Sequence, residues 1–268
     1  MRTSGPAVAI VGTGIGGTEM AGYLGVQGRR VRVHDLRPEA VDGIRARGGL
    51  DVTGVATGFA PIERATTDLR EAVEGAGVIV VTTVNNDHEA VATNLASHLV
   101  DGQMVCLVPG YLGGSLQFRH VLNRAGSRAR VKLGEIDNFP FTGAIQGPSA
   151  VRVASLKRQL RLAALPASDT PALVETMRAL LPPVGPAVNV FQTALATMNP
   201  ILHVPGMLAN QGRLDAGERF QFYGAGITQT VARVVDALDA ERVAVARAFG
   251  VTVPSVREWL AQAYGLVG

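Results

Sequence analysis

A single cysteine, Cys106, stands in the whole 268-residue chain, so no internal disulfide can form, and a reducing compartment suits the protein. Cys106 falls within an apolar strand pattern and reads as core, not as a nucleophile. Lysine is almost as scarce. Lys132 and Lys157 are the only two, so the net charge of +3 rests on arginine. The arginines are scattered, with no basic run longer than Arg29-Arg30, which argues against a nucleic-acid partner. Arginine does suit the bidentate binding of carboxylate substrates. Long apolar runs are missing too: the stretch from Val78 to Val81 and onward is far too short to span a bilayer. There is no internal repeat or low-complexity segment, and no metal site is expected. The first strand begins within the first ten residues, leaving no room for a secretory leader. These absences set the expectation of a cytoplasmic protein with neither a membrane nor a nucleic-acid partner.

What is present begins at once. Val8-Ala9-Ile10-Val11 is a buried-strand run, followed by Gly12-Thr13-Gly14-Ile15-Gly16-Gly17 and then by a helix through Glu19 to Leu24. A second strand, Val31 to His34, ends on Asp35, eighteen residues after Gly17. Strand, glycine turn, helix, strand and acid form a dinucleotide-binding βαβ unit. In this reading Gly12 permits the tight turn, Gly14 lets the backbone approach a pyrophosphate, and Gly17 allows close packing. The helix start offers N–H groups and a positive dipole end to the phosphates. Asp35 accepts hydrogen bonds from the ribose hydroxyls and thereby favours NAD. Arg37 leaves NADP open, since it could stack on adenine or meet a 2′-phosphate. Thr83, at the carboxyl end of a strand through Val81, and Gly110, in the flexible loop Pro109 to Gly114, complete the expected cofactor-binding set.

The 47% hydrophobic content supports a sizeable core in one or two domains. Strand and helix patterns alternate to about Val190, and helical patterns follow. Tyr223 to Phe249 reads as one helix, with Ile227, Val231, Val234, Leu238, Val245 and Phe249 on an apolar face and Gly250 ending it. The expected architecture is therefore an α/β Rossmann domain of doubly wound sheet over residues 1–190, followed by an all-α domain over 191–268.

Hydride chemistry needs a proton donor or acceptor near the nicotinamide. His34 lies inside a strand, and His88, His98 and His120 sit in polar helical contexts expected to face solvent. His203 differs. It lies in Asn199-Pro200-Ile201-Leu202-His203-Val204-Pro205-Gly206, at the domain junction, where two prolines fix the local backbone. Either a catalytic or a packed histidine would fit there.

Several segments together resemble the octopine/nopaline (opine) dehydrogenase family: Glu135 to Pro140, Val151 to Lys157, Ala163 to Pro166, Asn199 to His203, Asn210-Gln211-Gly212, Phe222 to Thr228 and Leu238 to Arg242. The resemblance implies NAD(P)H-dependent reductive condensation of an amine, typically an amino acid, with a 2-oxo acid through an imine. It also implies His203 as the catalytic acid/base. A further Arg-Tyr…Glu-Asp…Pro motif, whose aspartate orients that histidine in the family, has no equivalent through Gly268. Two other readings stay open. A ketopantoate- or hydroxyacid-type reductase would typically place a lysine at the domain junction, and neither lysine lies in the helical region. A non-catalytic NAD-binding regulatory protein is the second. The apolar helical face points to a homodimer.

Overall fold

The computed structural model describes residues 5–264, which form two compact units, the first running through Thr193 and the second from Ala194. The chain opens with β1 (Ala7–Val11), α1 (Ile15–Val26), β2 (Val31–His34) and α2 (Pro38–Arg47). Three short strands follow, β3 (Gly49–Gly54), β4 (Gly58–Pro61) and β5 (Arg64–Thr66), and then α3 (Leu69–Val73) and β6 (Ala76–Val81). Next come α4 (His88–Leu95), β7 (Met104–Leu107), α5 (Gly114–Arg124), β8 (Lys132–Ile136), β9 (Phe141–Gly147), β10 (Ala150–Leu156) and β11 (Leu160–Leu165). The first unit closes with α6 (Thr170–Arg178) and β12 (Val184–Pro186), and α7 (Val190–Leu195) carries the chain onward.

The main sheet has the order β12-β11-β8-β7-β6-β1-β2-β5. It is parallel from β5 to β8, and β11 then runs antiparallel to β8. The chain leaves β1 for β2 on one side and returns to β6 on the other, so the strand order reverses at β1. That is where open α/β sheets bind ligands, beyond the carboxyl ends of the strands. Both faces of β1 are buried. Val8 and Ile10 pack into one apolar cluster, and Ala9 and Val11 into the other. A strand covered on both sides must be apolar throughout, which explains the continuous run.

A second sheet, β4-β3-β10-β9, lies outside the sequence-based expectation. It packs against α1: Met20, Ala21, Tyr23 and Leu24 share a cluster with Leu50, Val52, Ala60, Phe141, Val151 and Val153. The helix is thus enclosed, with every residue from Gly17 to Gly25 buried. Two of its glycines exist for this contact. A Cβ on Gly25 would stand 2.7 Å from that of Ala60, and one on Gly22 would stand 3.0 Å from Val52 and Val151.

The second unit holds α8 (Asn199–Ala209), α9 (Gln211–Asp215), α10 (Gln229–Ala248) and α11 (Val256–Tyr264). Met198, Leu202, Val231, Val235 and Val256 form its core. Two expectations are corrected here. The long helix begins at Gln229, not Tyr223, because the Thr228 hydroxyl accepts from the Val231 N–H and caps it. Its buried face is Val231, Val235, Asp239, Arg242 and Ala246, whereas Val234, Leu238, Val245 and Phe249 are exposed. The reason is an ion pair. Arg242 Nη2 meets Asp239 Oδ1 at 2.6 Å, both side chains being less than a tenth exposed. Arg242 also donates to the carbonyls of Leu195 and Pro254, and Asp239 Oδ2 accepts from the Val256 N–H. Fully partnered charges can occupy an interior that hydrophobic periodicity assigns to valine and leucine.

Candidate active site

The glycine turn leaves β1 with Gly12 at φ +102°, a conformation that favours glycine. Here Thr83 also packs close, its Cγ2 lying 2.9 Å from where a Gly12 Cβ would sit. A Cβ on Gly17 would lie 1.8 Å from the Gly12 carbonyl oxygen and 2.7 Å from Thr82 Oγ1. Thr82 therefore locks the turn from the neighbouring strand, its hydroxyl donating to the Val11 and Gly12 carbonyls. Gly16 is covered by the Phe139 ring, which a Cβ on Gly16 would meet at 1.8 Å, whereas a Cβ on Gly14 would meet nothing within 4 Å. Gly14 is also the N-cap of α1, with no side chain bonded to it, and Ile15 beside it is 54% exposed. Open space, an uncapped helix start and a neighbouring exposed residue fit a pyrophosphate against residues Gly12 to Gly17.

Asp35 follows the end of β2 and is buried. Its Oδ2 accepts from Thr13 N and Thr13 Oγ1, each at 2.9 Å, and from Arg37 Nη2 at 3.1 Å. Its Oδ1 accepts from Arg37 N at 3.1 Å and Arg37 Nε at 2.9 Å. Burial disfavours the charge, but the Arg37 and Thr13 donors together outweigh it and hold the carboxyl well below the usual carboxylate range. The acid that follows β2 is thus held in its ionised form and tied directly to the glycine turn.

Around the carboxyl ends of β6, β7 and β8 the structure adds residues that the sequence alone does not single out. The loop with Gly110 is anchored at its start. Gly110 is buried, its N–H donates to the Ile136 carbonyl, and a Cβ there would lie 2.5 Å from Glu135. Glu135 is itself buried, accepting from the Ser115 N–H at 3.1 Å and the Thr193 hydroxyl at 2.6 Å. Burial pushes its carboxyl up, against those two bonds. Next to it, Asp137 is pushed up to about 6 by burial, against the Arg161 N–H and Lys157. Lys157 donates to Asn138 Oδ1 at 2.6 Å and is brought down to about 8 by burial. His88 is a correction: it is fully buried at the start of α4, edge-on to Phe118, instead of facing solvent. Burial pushes its imidazole down toward the neutral form. His98 is half-buried and His120 exposed. Cys106 is buried in β7, where burial pushes its thiol up, away from nucleophilic use.

In the second unit His203 lies exposed on α8, five residues into a helix that has Pro200 in its first turn. Its Nε2 lies 2.9 Å from the Tyr223 hydroxyl. Phe222 flanks the imidazole with ring centroids 5.6 Å apart, and its ring fills the space that a side chain on Gly206 would need. Asn210 secures this arrangement by donating to the Gly206 and Gly226 carbonyls. Among the described residues of each unit, no group of three or more His, Cys, Asp or Glu side chains could hold a metal ion.

Residues 186–267 match the family model described as NAD/NADP octopine/nopaline dehydrogenase, alpha-helical domain. Residues 7–112 match the NAD binding domain of 6-phosphogluconate dehydrogenase. An opine dehydrogenase from Arthrobacter sp. (strain 1C) is 35% identical over 258 residues, which span 96% of this chain and 72% of that protein. Octopine dehydrogenase in complex with NADH and agmatine is similar with a TM-score of 0.75 at 21% identity, over 97% of this chain and 70% of that one. NADP+-bound yersinopine dehydrogenase is similar with a TM-score of 0.82 at 17% identity, over 100% and 70%. A PanE/ApbA-family ketopantoate reductase from Ralstonia eutropha JMP134 is similar with a TM-score of 0.68 at 22% identity, over 98% and 83%. At these identities the structural likenesses show the fold alone.

Proposed function

The chain belongs to the octopine/nopaline dehydrogenase family, and on that footing we propose that it catalyses the NAD(P)H-dependent reductive condensation of an amine, typically an amino acid, with a 2-oxo acid. The carrying observation is the conjunction of a dinucleotide cradle, Gly12 to Gly17 with Asp35, and a helical unit that presents His203 with its Nε2 held by Tyr223. Gly12, Thr13, Gly14, Ile15, Gly16 and Gly17 would hold the pyrophosphate, Asp35 and Arg37 the adenosine end, and Thr83 and Gly110 the nicotinamide end. When bound, the cofactor supplies hydride to the imine carbon. The chain's own part is to place that cofactor and to manage the proton. His203 is the acid/base group: it exchanges a proton with the substrate nitrogen or oxygen as the amine adds to the oxo acid, water leaves and the resulting C=N bond is reduced. An imidazole suits this task because it can change protonation near neutral pH.

Both lysines fall in the first unit, Lys132 in β8 and Lys157 just after β10, which disfavours a reductase built on a junction lysine. We further propose a cytoplasmic location and a homodimer, the latter supported by the exposed Val234, Leu238, Val245 and Phe249 on α10. No helix among the described residues is long and apolar enough to cross a membrane.

The test is oxidation of NADH and NADPH by a panel of 2-oxo acids, with and without amino acids. Turnover that requires both an oxo acid and an amine supports the reading. Turnover with an oxo acid alone would favour a hydroxyacid-type reductase, and cofactor binding without any turnover would favour a regulatory protein.

A further inference from the structure

Between β8 and β9 the chain forms a strap, residues 137–140, and Lys157 just after β10 reaches that strap twice. The Lys157 N–H donates to the Pro140 carbonyl at 2.8 Å, and Lys157 Nζ donates to Asn138 Oδ1 at 2.6 Å. The same Asn138 oxygen accepts from the Phe139 N–H at 2.9 Å. Phe139 is therefore bracketed by residues that a single lysine holds on either side of it. Both ends of the strap are fixed as well. Before it, the Asp137 N–H donates to the Arg161 carbonyl and the Arg161 N–H donates to Asp137 Oδ1, each at 3.0 Å, which ties the strap to β11. After it, Phe141 packs against Tyr23 of α1 with ring centroids 5.0 Å apart.

What the clamp holds is a ring on the glycine turn. A Cβ on Gly16 would meet two atoms of the Phe139 ring at 1.8 Å, so the ring lies against the backbone at the start of α1. That backbone supplies the N–H groups available to a pyrophosphate. An apolar ring beside them keeps water from part of their surroundings, and a donor in drier surroundings acts more strongly on a charged acceptor. A strap left loose would also have to be ordered when a ligand binds, at a cost in affinity. The position of Lys157 fits this task. A lysine ammonium ordinarily stays in water, yet this one is half-buried, with the Asn138 amide oxygen as its partner and Asp137 as the charge that bears on it.

We infer that Lys157 is a positioning residue for the dinucleotide: by clamping the strap at Asn138 and Pro140 it holds the Phe139 ring against Gly16, and so keeps one wall of the pyrophosphate site in place. This rests on the reading of Gly12 to Gly17 as the cofactor cradle, but not on which substrate is reduced.

The test is NADH binding, followed by nicotinamide fluorescence, on wild type, Phe139→Ala, Lys157→Met and the double variant. Phe139→Ala should weaken NADH by about tenfold and Lys157→Met by about fivefold. The double variant should match Phe139→Ala within about twofold, because a residue that acts through Phe139 then has nothing left to hold. Lys157→Arg keeps the charge and the donors and should restore binding to within about twofold of wild type. Asn138→Ala keeps the lysine charge but removes its acceptor, and should behave like Lys157→Met. Full additivity in the double variant overturns the inference, since the lysine would then act on the phosphates by its charge alone. Wild-type affinity in Phe139→Ala or in Asn138→Ala overturns it too, and these two variants decide the matter if Lys157→Met does not fold. In either case NADH binding by wild type leaves the cradle reading standing. If wild type binds neither NADH nor NADPH, the cradle reading fails and the inference falls with it.

Discussion

Asp35 and His203 carry the two halves of the proposed chemistry, and the fold holds them in opposite ways. Asp35 is buried, ionised and bound by five donors from its own unit. His203 is exposed, with a phenol on one ring nitrogen and a phenyl ring against its face. A group that binds by position gains from being overdetermined, because each fixed bond removes freedom that the ligand would otherwise have to remove. A group that moves a proton must keep one nitrogen accessible and both protonation states within reach. Rigidity is thus concentrated at the group proposed to bind, and accessibility at the group proposed to move the proton.

The largest expected effect cuts this comparison in two. His203→Asn keeps bulk and polarity but cannot carry a proton near neutral pH. It should lower kcat by about 10²–10⁴-fold, the usual worth of a general acid–base group, while the fluorescence-measured affinity for NADH stays nearly unchanged. Retention of most activity would return His203 to a packing role. A drop in cofactor affinity of similar size would mean that the two groups are not separable.

How legible these groups are in the sequence follows from how local their requirements are. Gly12 must adopt φ +102° and Gly17 must let the turn close on itself, and both demands involve only nearby chain. Asp35 is legible for the same reason, since its spacing from the turn belongs to one βαβ unit. The face of α10 is not. Periodicity counts Val234 and Leu238 as interior, but the interior is set by Arg242 reaching the Leu195 and Pro254 carbonyls, 47 and 12 residues away. His88 is misplaced in the same way: a histidine at a helix start looks solvated until Phe118, thirty residues on, is seen to pack against it. The strand patterns around residues 50–62 and 151–155 are legible, but their joining into a second sheet escapes detection because β9 is largely exposed and rich in glycine, so it carries no strand alternation.

The next effect tests whether the helical unit owes its integrity to that hidden pair. Arg242→Met removes one partner and leaves Asp239 buried with its charge uncompensated, at a cost of about 3–5 kcal/mol by denaturant unfolding of the second unit. Adding Asp239→Leu should recover less than half of that. The double variant still strands the Leu195 and Pro254 carbonyls and the Val256 N–H. Full recovery would show that the pair is merely tolerated. Cofactor titrations on Arg242→Met should match wild type if the binding unit is held by its own bonds alone.

The smallest effect sharpens the picture of the rigid half, because one of its buried groups is not satisfied. Glu19 lies in α1 beneath the second sheet, 2% exposed, and its Oε1 lacks a hydrogen-bond partner among the described residues. That oxygen lies 2.3 Å from where a Cβ on Gly143 would be, and the Arg152 carbonyl oxygen lies 1.9 Å from the same point, so the β10 backbone leaves room there only for glycine. The residue sits past the first turn of the helix, where the dipole gives a carboxylate little support. Burial accordingly pushes its carboxyl up from the ordinary 4.5 to about 7. The native state thus favours the neutral acid. Its contribution to stability is fully present below the unfolded-state value near 4.5 and is lost as pH rises through 7. At one pKa unit per 1.36 kcal/mol, the loss across that whole window is about 3.4 kcal/mol. Glu19→Gln stays neutral throughout and should remove this share of the slope. Urea unfolding of the cofactor-free protein at pH 5 and pH 8 measures it: wild type should lose about 2 kcal/mol more than the variant between those values. Parallel pH dependence in the two proteins would mean that Glu19 finds a partner when ionised, and that the enclosed helix is as fully satisfied as Asp35 is.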